Sequence, residues 1–150
     1  MTNFKDIIDT FETAATLHKG VNSFSYGTLD QLDAFTQSIE YSTVFLRPLA
    51  SPGLSGNTRQ LNFELYSLDV PKLDDPQGLT VMSQTEWVLY DICGYFNRGP
   101  VQQTLQIDIT TITPVNEAFR DRVFGWVGAI TFIEQGVFNY NLLPRYNIHP

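Results

Sequence analysis

Carboxylates, histidines and one cysteine are the groups with which this chain could do chemistry. Asp6 and Asp9 stand three residues apart in a helical pattern, and Asp30 and Asp33 repeat that spacing in a turn-rich stretch. A glycosidase pair or an oxygen-ligand metal site needs such carboxylates to converge in a cleft. Spacing alone gives no convergence, and solvated helix and turn positions account for both pairs. Asp74 and Asp75 lie between Leu73 and Pro76, where turn chemistry explains them. His18 falls at the end of a helix, where an imidazolium would complement the dipole, and His149 is penultimate. Neither has a His, Cys or carboxylate at a ligand spacing such as H-E-x-x-H.

Cys93 is the sole cysteine, which excludes an intramolecular disulfide and a thiolate metal cluster. Its place inside a helical pattern fits a small buried apolar residue. A nucleophile–base triad therefore has too few members. PGLSGNT (52–58) is like a phosphate loop only superficially: it lacks the lysine and leads into a strand, so a hairpin tip is expected. Phe24, Tyr26, Tyr66, Trp87, Tyr90, Tyr95 and Trp126 could stack bases, but no Lys and Arg interleave with them. No catalytic, cofactor-binding or metal-binding residue is assigned, no cofactor is expected, and the chain is read as a non-enzyme.

The elements that position these residues follow from periodicity. Residues 2–20 read as a helix capped by Thr2 or Asn3 and stopped at Gly20, with Phe4, Ile7, Ile8, Phe11 and Ala15 along one stripe. A short strand or turn is expected at Phe24–Gly27. YSTVFLRPL (41–49) and RQLNFELYSLDV (59–70) read as an antiparallel hairpin whose tip, including Pro52, Gly53, Leu54, Gly56 and Asn57, is expected to be mobile. An acidic, proline-flanked connection leads to a second helix from Leu79 or Thr80 to about Phe96. Strand 101–113, a turn at PVNEAF (114–119) and strand 121–134 form a second hairpin. The expected fold is α+β: an antiparallel-rich sheet of about four main strands, in two hairpins, packed against two helices. Residues 1–135 make one domain, and 136–150 an extended C-terminal arm.

The chain has 150 residues, a size that favours one domain with a real core, and 43% of them are apolar. A net charge of −7, with only nine basic residues, argues against tight binding to nucleic-acid phosphates. No apolar run approaches a membrane span, and MTNFKDIIDTFE lacks the apolar core of a signal peptide, so cytosolic assembly is expected.

DRVFGWVGAITF (121–132) is apolar on both faces: Phe124, Trp126, Ile130 and Phe132 alternate with Val123, Val127 and Ala129. The first set is expected in the structural core, with Trp126 between sheet and helix. The second face belongs either to a doubly covered central strand or to a subunit contact.

The order of parts, from the FSYG turn and YSTVFLRP strand through ELYSLDV to ITPVNEAFRDRVFGW, resembles the small neck proteins of tailed bacteriophages. These are of the tail-terminator or head–tail connector ring type, and the likeness is nearest to versions from phages of gut Bacteroidota, including crAss-like phages. The resemblance implies a tail-terminator-like fold and a virion structural protein of the neck or tail. It implies a homo-oligomeric ring, six-fold or twelve-fold, between portal and tail, through which DNA passes without tight binding. Its partners would be itself and other neck and tail proteins, with no membrane. The apolar arm supplies candidate inter-subunit contacts in Phe138, Tyr140, Leu142, Leu143 and Tyr146, and Asp69–Asp75 a candidate channel-facing surface. A soluble small-ligand-binding domain and, less well supported, a small hydrolase are the alternatives.

Overall fold

Asn3 begins the first helix. In a computed structural model, which describes residues 3–28, 40–98, 105–118 and 122–136, its extended backbone lets its side-chain oxygen accept the Asp6 N–H at 2.8 Å. Helix α1 spans Phe4–Leu17 and buries Ile7, Phe11, Ala14 and Ala15; of the expected stripe, Phe4 is exposed and Ile8 half-buried, and Ala14 joins the buried side instead. It ends when His18 turns extended, three residues after Ala15, whose carbonyl accepts the His18 N–H.

Strands β1 (Ser23–Tyr26), β2 (Thr43–Pro48), β3 (Gly53–Ser55) and β4 (Thr58–Asp69) follow, then helix α2 (Leu79–Arg98) and strands β5 (Leu105–Ala118) and β6 (Val123–Gln135). The fold is α+β. The sheet is larger than expected, with six strands in the order β1-β2-β4-β6-β5 and β3 attached to β4. It is also mixed, because β1 runs parallel to β2 while every other pair is antiparallel. The two expected hairpins, β2–β4 and β5–β6, are present and are joined by the β4–β6 ladder.

Two boundaries differ from the periodic reading. The tip at 51–58 folds back on itself: Gly53–Ser55 pairs with Thr58–Gln60 across a two-residue turn. Gly56, at φ +59°, supplies the left-handed conformation that such a turn requires. Leu54 at this tip is 62% exposed. The second correction concerns PVNEAF, expected as a turn. Strand β5 continues through it to Ala118, with register shifts between Ile109 and Thr111 and between Val115 and Ala118. Pro114 falls on β5, the edge strand of the described sheet, where proline is tolerated.

Both helices pack on one face. Ile7, Phe11, Val88, Leu89, Ile92 and Phe96 meet Val44, Leu46, Phe63, Leu65, Ile107, Ile130 and Phe132 in one buried cluster. Phe11 sits at its centre, with ring centroids 4.6 Å from Phe96 and 5.6 Å from Phe63. The opposite face carries a smaller buried cluster of Phe45, Tyr66, Leu68 and Val123, with Tyr41, Val115 and Val127 against it and, among the described residues, no helical one. Beside that cluster Arg47 bonds Glu64 at 2.7 Å, and Tyr66 donates to the same carboxylate oxygen at 3.1 Å. Gly125 is required where β6 crosses β4: a Cβ there would lie 2.0 Å from the Ser67 carbonyl oxygen.

Candidate functional site

Helix α2 is positioned by the acidic connection that precedes it. The Asp75 carboxylate accepts the amides of Leu79, Thr80 and Val81 at 3.0, 3.1 and 3.4 Å, satisfying donors the first turn leaves open. Arg122 donates to the Pro76 carbonyl and lays its guanidinium 5.4 Å from the centroid of the Phe124 ring, so the connection is fastened to the start of β6.

Thus oriented, α2 presents Thr80, Gln84, Trp87 and Asp91, spaced four, three and four apart, along one stripe. Thr80, Gln84 and Trp87 line a groove between α2, the end of β4 and the turn after α1. It consists of two adjoining cavities of about 220 and 350 Å³ that share Asp69 and Gln84. Lys72, Asp74 and Thr80 line the first; His18, Ser42, Trp87 and Val88 line the second. Trp87 is 63% exposed and meets Tyr90 edge-on. Next to it, His18 Nε2 lies 2.8 Å from Asp91 Oδ2, and Gly20 N–H donates to Nδ1 at 2.9 Å, which leaves the proton on Nε2.

Asp69 occupies the junction of the cavities. It accepts the Val70 N–H at 2.8 Å, and burial pushes its carboxyl above the usual range against the opposing pull of that bond and of Lys72. Between residues 69 and 97 there are five carboxylates and a single Lys or Arg, Lys72. The groove is therefore suited to a cationic group with apolar flanks. Of the stretch Asp69–Asp75, Asp75 serves the helix start and Asp74 is exposed.

The candidates for chemistry are dispersed. Asp6 and Asp9 lie on an open surface with Thr10, Thr13 and Tyr95, and Asp9 pairs with Lys5 at 2.6 Å. Cys93 is buried, with its thiol pushed up to about 12 mainly by desolvation and further by Asp108, so little thiolate forms at neutral pH. Among the described residues no three His, Cys, Asp or Glu side chains group to hold a metal ion. Asp30, Asp33 and His149 lie outside the described residues, as do Phe138, Tyr140, Leu142, Leu143 and Tyr146.

Phe124, Ile130 and Phe132 are buried, while Trp126 is half-buried against the main cluster and donates its indole N–H to the Met82 carbonyl at 2.8 Å. The His18–Asp91 pair joins positions 73 residues apart, beyond the reach of local spacing. The sequence marks Asp69–Asp75 as an acidic stretch and Trp87 among the aromatics, with nothing local to join them. Among the described residues, no helix is long and apolar enough to cross a membrane. Comparison with protein-family models and with curated proteins gave no match.

Proposed function

We propose that the chain is a structural subunit of a tailed-phage neck, assembled as a homo-oligomeric ring around the DNA passage and joining portal or capsid to tail. The observation that carries this reading is the set of large apolar side chains left exposed on α2 and the connection before it: Leu73, Leu79 and Trp87. Apolar side chains exposed in this way suit association with another copy.

The sheet's edge favours contact through faces over strand addition. On β5, Asn97 bonds both the N–H and the carbonyl of Ile107, at 3.1 and 2.9 Å, occupying the groups an added strand would use. Farther along, the register shifts and Pro114 interrupt the edge again. The other edge, β1, has four residues. The net charge of −7 suits a passage that DNA traverses without being held.

The groove beside Trp87 favours a second reading, a small-ligand-binding domain that works as a monomer or dimer. Sedimentation velocity with negative-stain imaging of the purified chain separates the two. A closed ring with a central opening is expected; a species that stays monomeric or dimeric at every concentration overturns the ring.

A further inference from the structure

We propose that the groove along α2 receives residues Leu142–Tyr146 of a second copy of the chain, with Arg145 against Asp69 and the leucines against Trp87. This rests on the ring reading for the presence of a second copy. The groove itself is built independently of that reading.

Charge complementarity selects the occupant. The groove is lined by Asp69 and Asp74, with Lys72 the cation on its rim. Beyond Gly136 the sequence reads VFNYNLLPRYNIHP, in which Arg145 is the sole Lys or Arg and lies between Leu142, Leu143, Pro144 and Tyr146. A guanidinium flanked by apolar side chains matches a carboxylate beside an exposed indole, through a charge-assisted hydrogen bond at one and stacking at the other.

Reach favours a contact between copies. Gly136 is held at the start of β4, where its N–H donates to the Asn57 carbonyl at 3.3 Å. Asp69 closes the other end of that twelve-residue strand, about 35 Å away at the rise of an extended chain. Arg145 is nine residues beyond Gly136, and its backbone extends at most about 32 Å from it. Docking in its own subunit's groove would demand a fully extended arm, a demand that the groove of a neighbour removes.

Full-length Arg145→Glu, Asp69→Asn and Trp87→Ala variants are compared with wild type by sedimentation velocity. Asp6→Asn/Asp9→Asn, which alters net charge on the remote face of α1, serves as the control. Each groove or arm change is expected to weaken assembly about tenfold or more, with the control unchanged and all variants folded by circular dichroism. Wild-type rings that persist equally in all three variants overturn the groove contact while leaving the ring reading intact.

If the wild-type chain is monomeric, the ring reading fails, and a synthetic peptide of residues 137–150 is titrated into it. Saturable binding, weakened about tenfold by Trp87→Ala and untouched by the control, supports the groove on its own. Absence of binding, or equal weakening by the control, overturns it.

Discussion

The two faces of the sheet are finished in different ways. Under the helices, aromatic and branched residues from α1, α2 and four strands form one continuous cluster. On the other face four buried residues hold one end, and the Arg47–Glu64–Tyr66 bonds lie beside them. The first face is complete within the chain and specifies the fold. The second buries only a small cluster at one end and sets the charged, half-buried Arg47 and Glu64 beside it.

The largest expected effect tests that contrast directly. Phe63→Ala removes a ring that Phe4 and Phe11 contact in the complete face, and should cost about 3–5 kcal/mol. Phe45→Ala also removes a buried ring, but from the smaller cluster, and should cost toward the lower end of that range. Equal losses in urea melts would break the distinction between the faces.

Trp126→Phe sharpens it on the helix side. The ring's apolar contacts largely remain, but the bond to Met82 is lost, which should lower stability by about 1 kcal/mol. A loss several times larger would mean that the indole bond fixes α2 on the sheet.

The smallest effect concerns Tyr66 on the other face. Burial raises its phenol above the usual value, and the nearby Glu64 charge adds to the shift. Because the folded state favours the neutral phenol, its stability should be constant below pH 10 and fall as pH rises from there through the raised folded value. Ultraviolet titration should find one phenol ionising late, and Tyr66→Phe should remove its part of the alkaline slope. If assembly covers this face, ionisation should come later still.

Periodicity made the two helices and the long strands legible because each repeats one side-chain pattern over many residues. The helix-side placement of Ile130 and Phe132 followed from alternation alone. Strand β3 was obscured by its length, three residues among turn formers. The continuation of β5 was obscured because Pro114 usually ends a strand, and the rule relaxes at an edge. The groove depends on the meeting of His18, Asp69 and Trp87, which come from three separate elements, and no local pattern encodes that meeting.

Strand β6 lies between β4 and β5 although it follows both in the sequence. A chain emerging from the ribosome therefore offers β4, α2 and β5 before the strand that joins them exists. The ladder partner of Thr58 is Gln135, so the sheet cannot close until that residue has left the exit tunnel. At about 5–20 residues per second, the wait between β4 and β6 lasts several seconds. During that interval the apolar side of β4 has only β2, β3 and the helices for cover, and folding is governed by the arrival of one late, central strand.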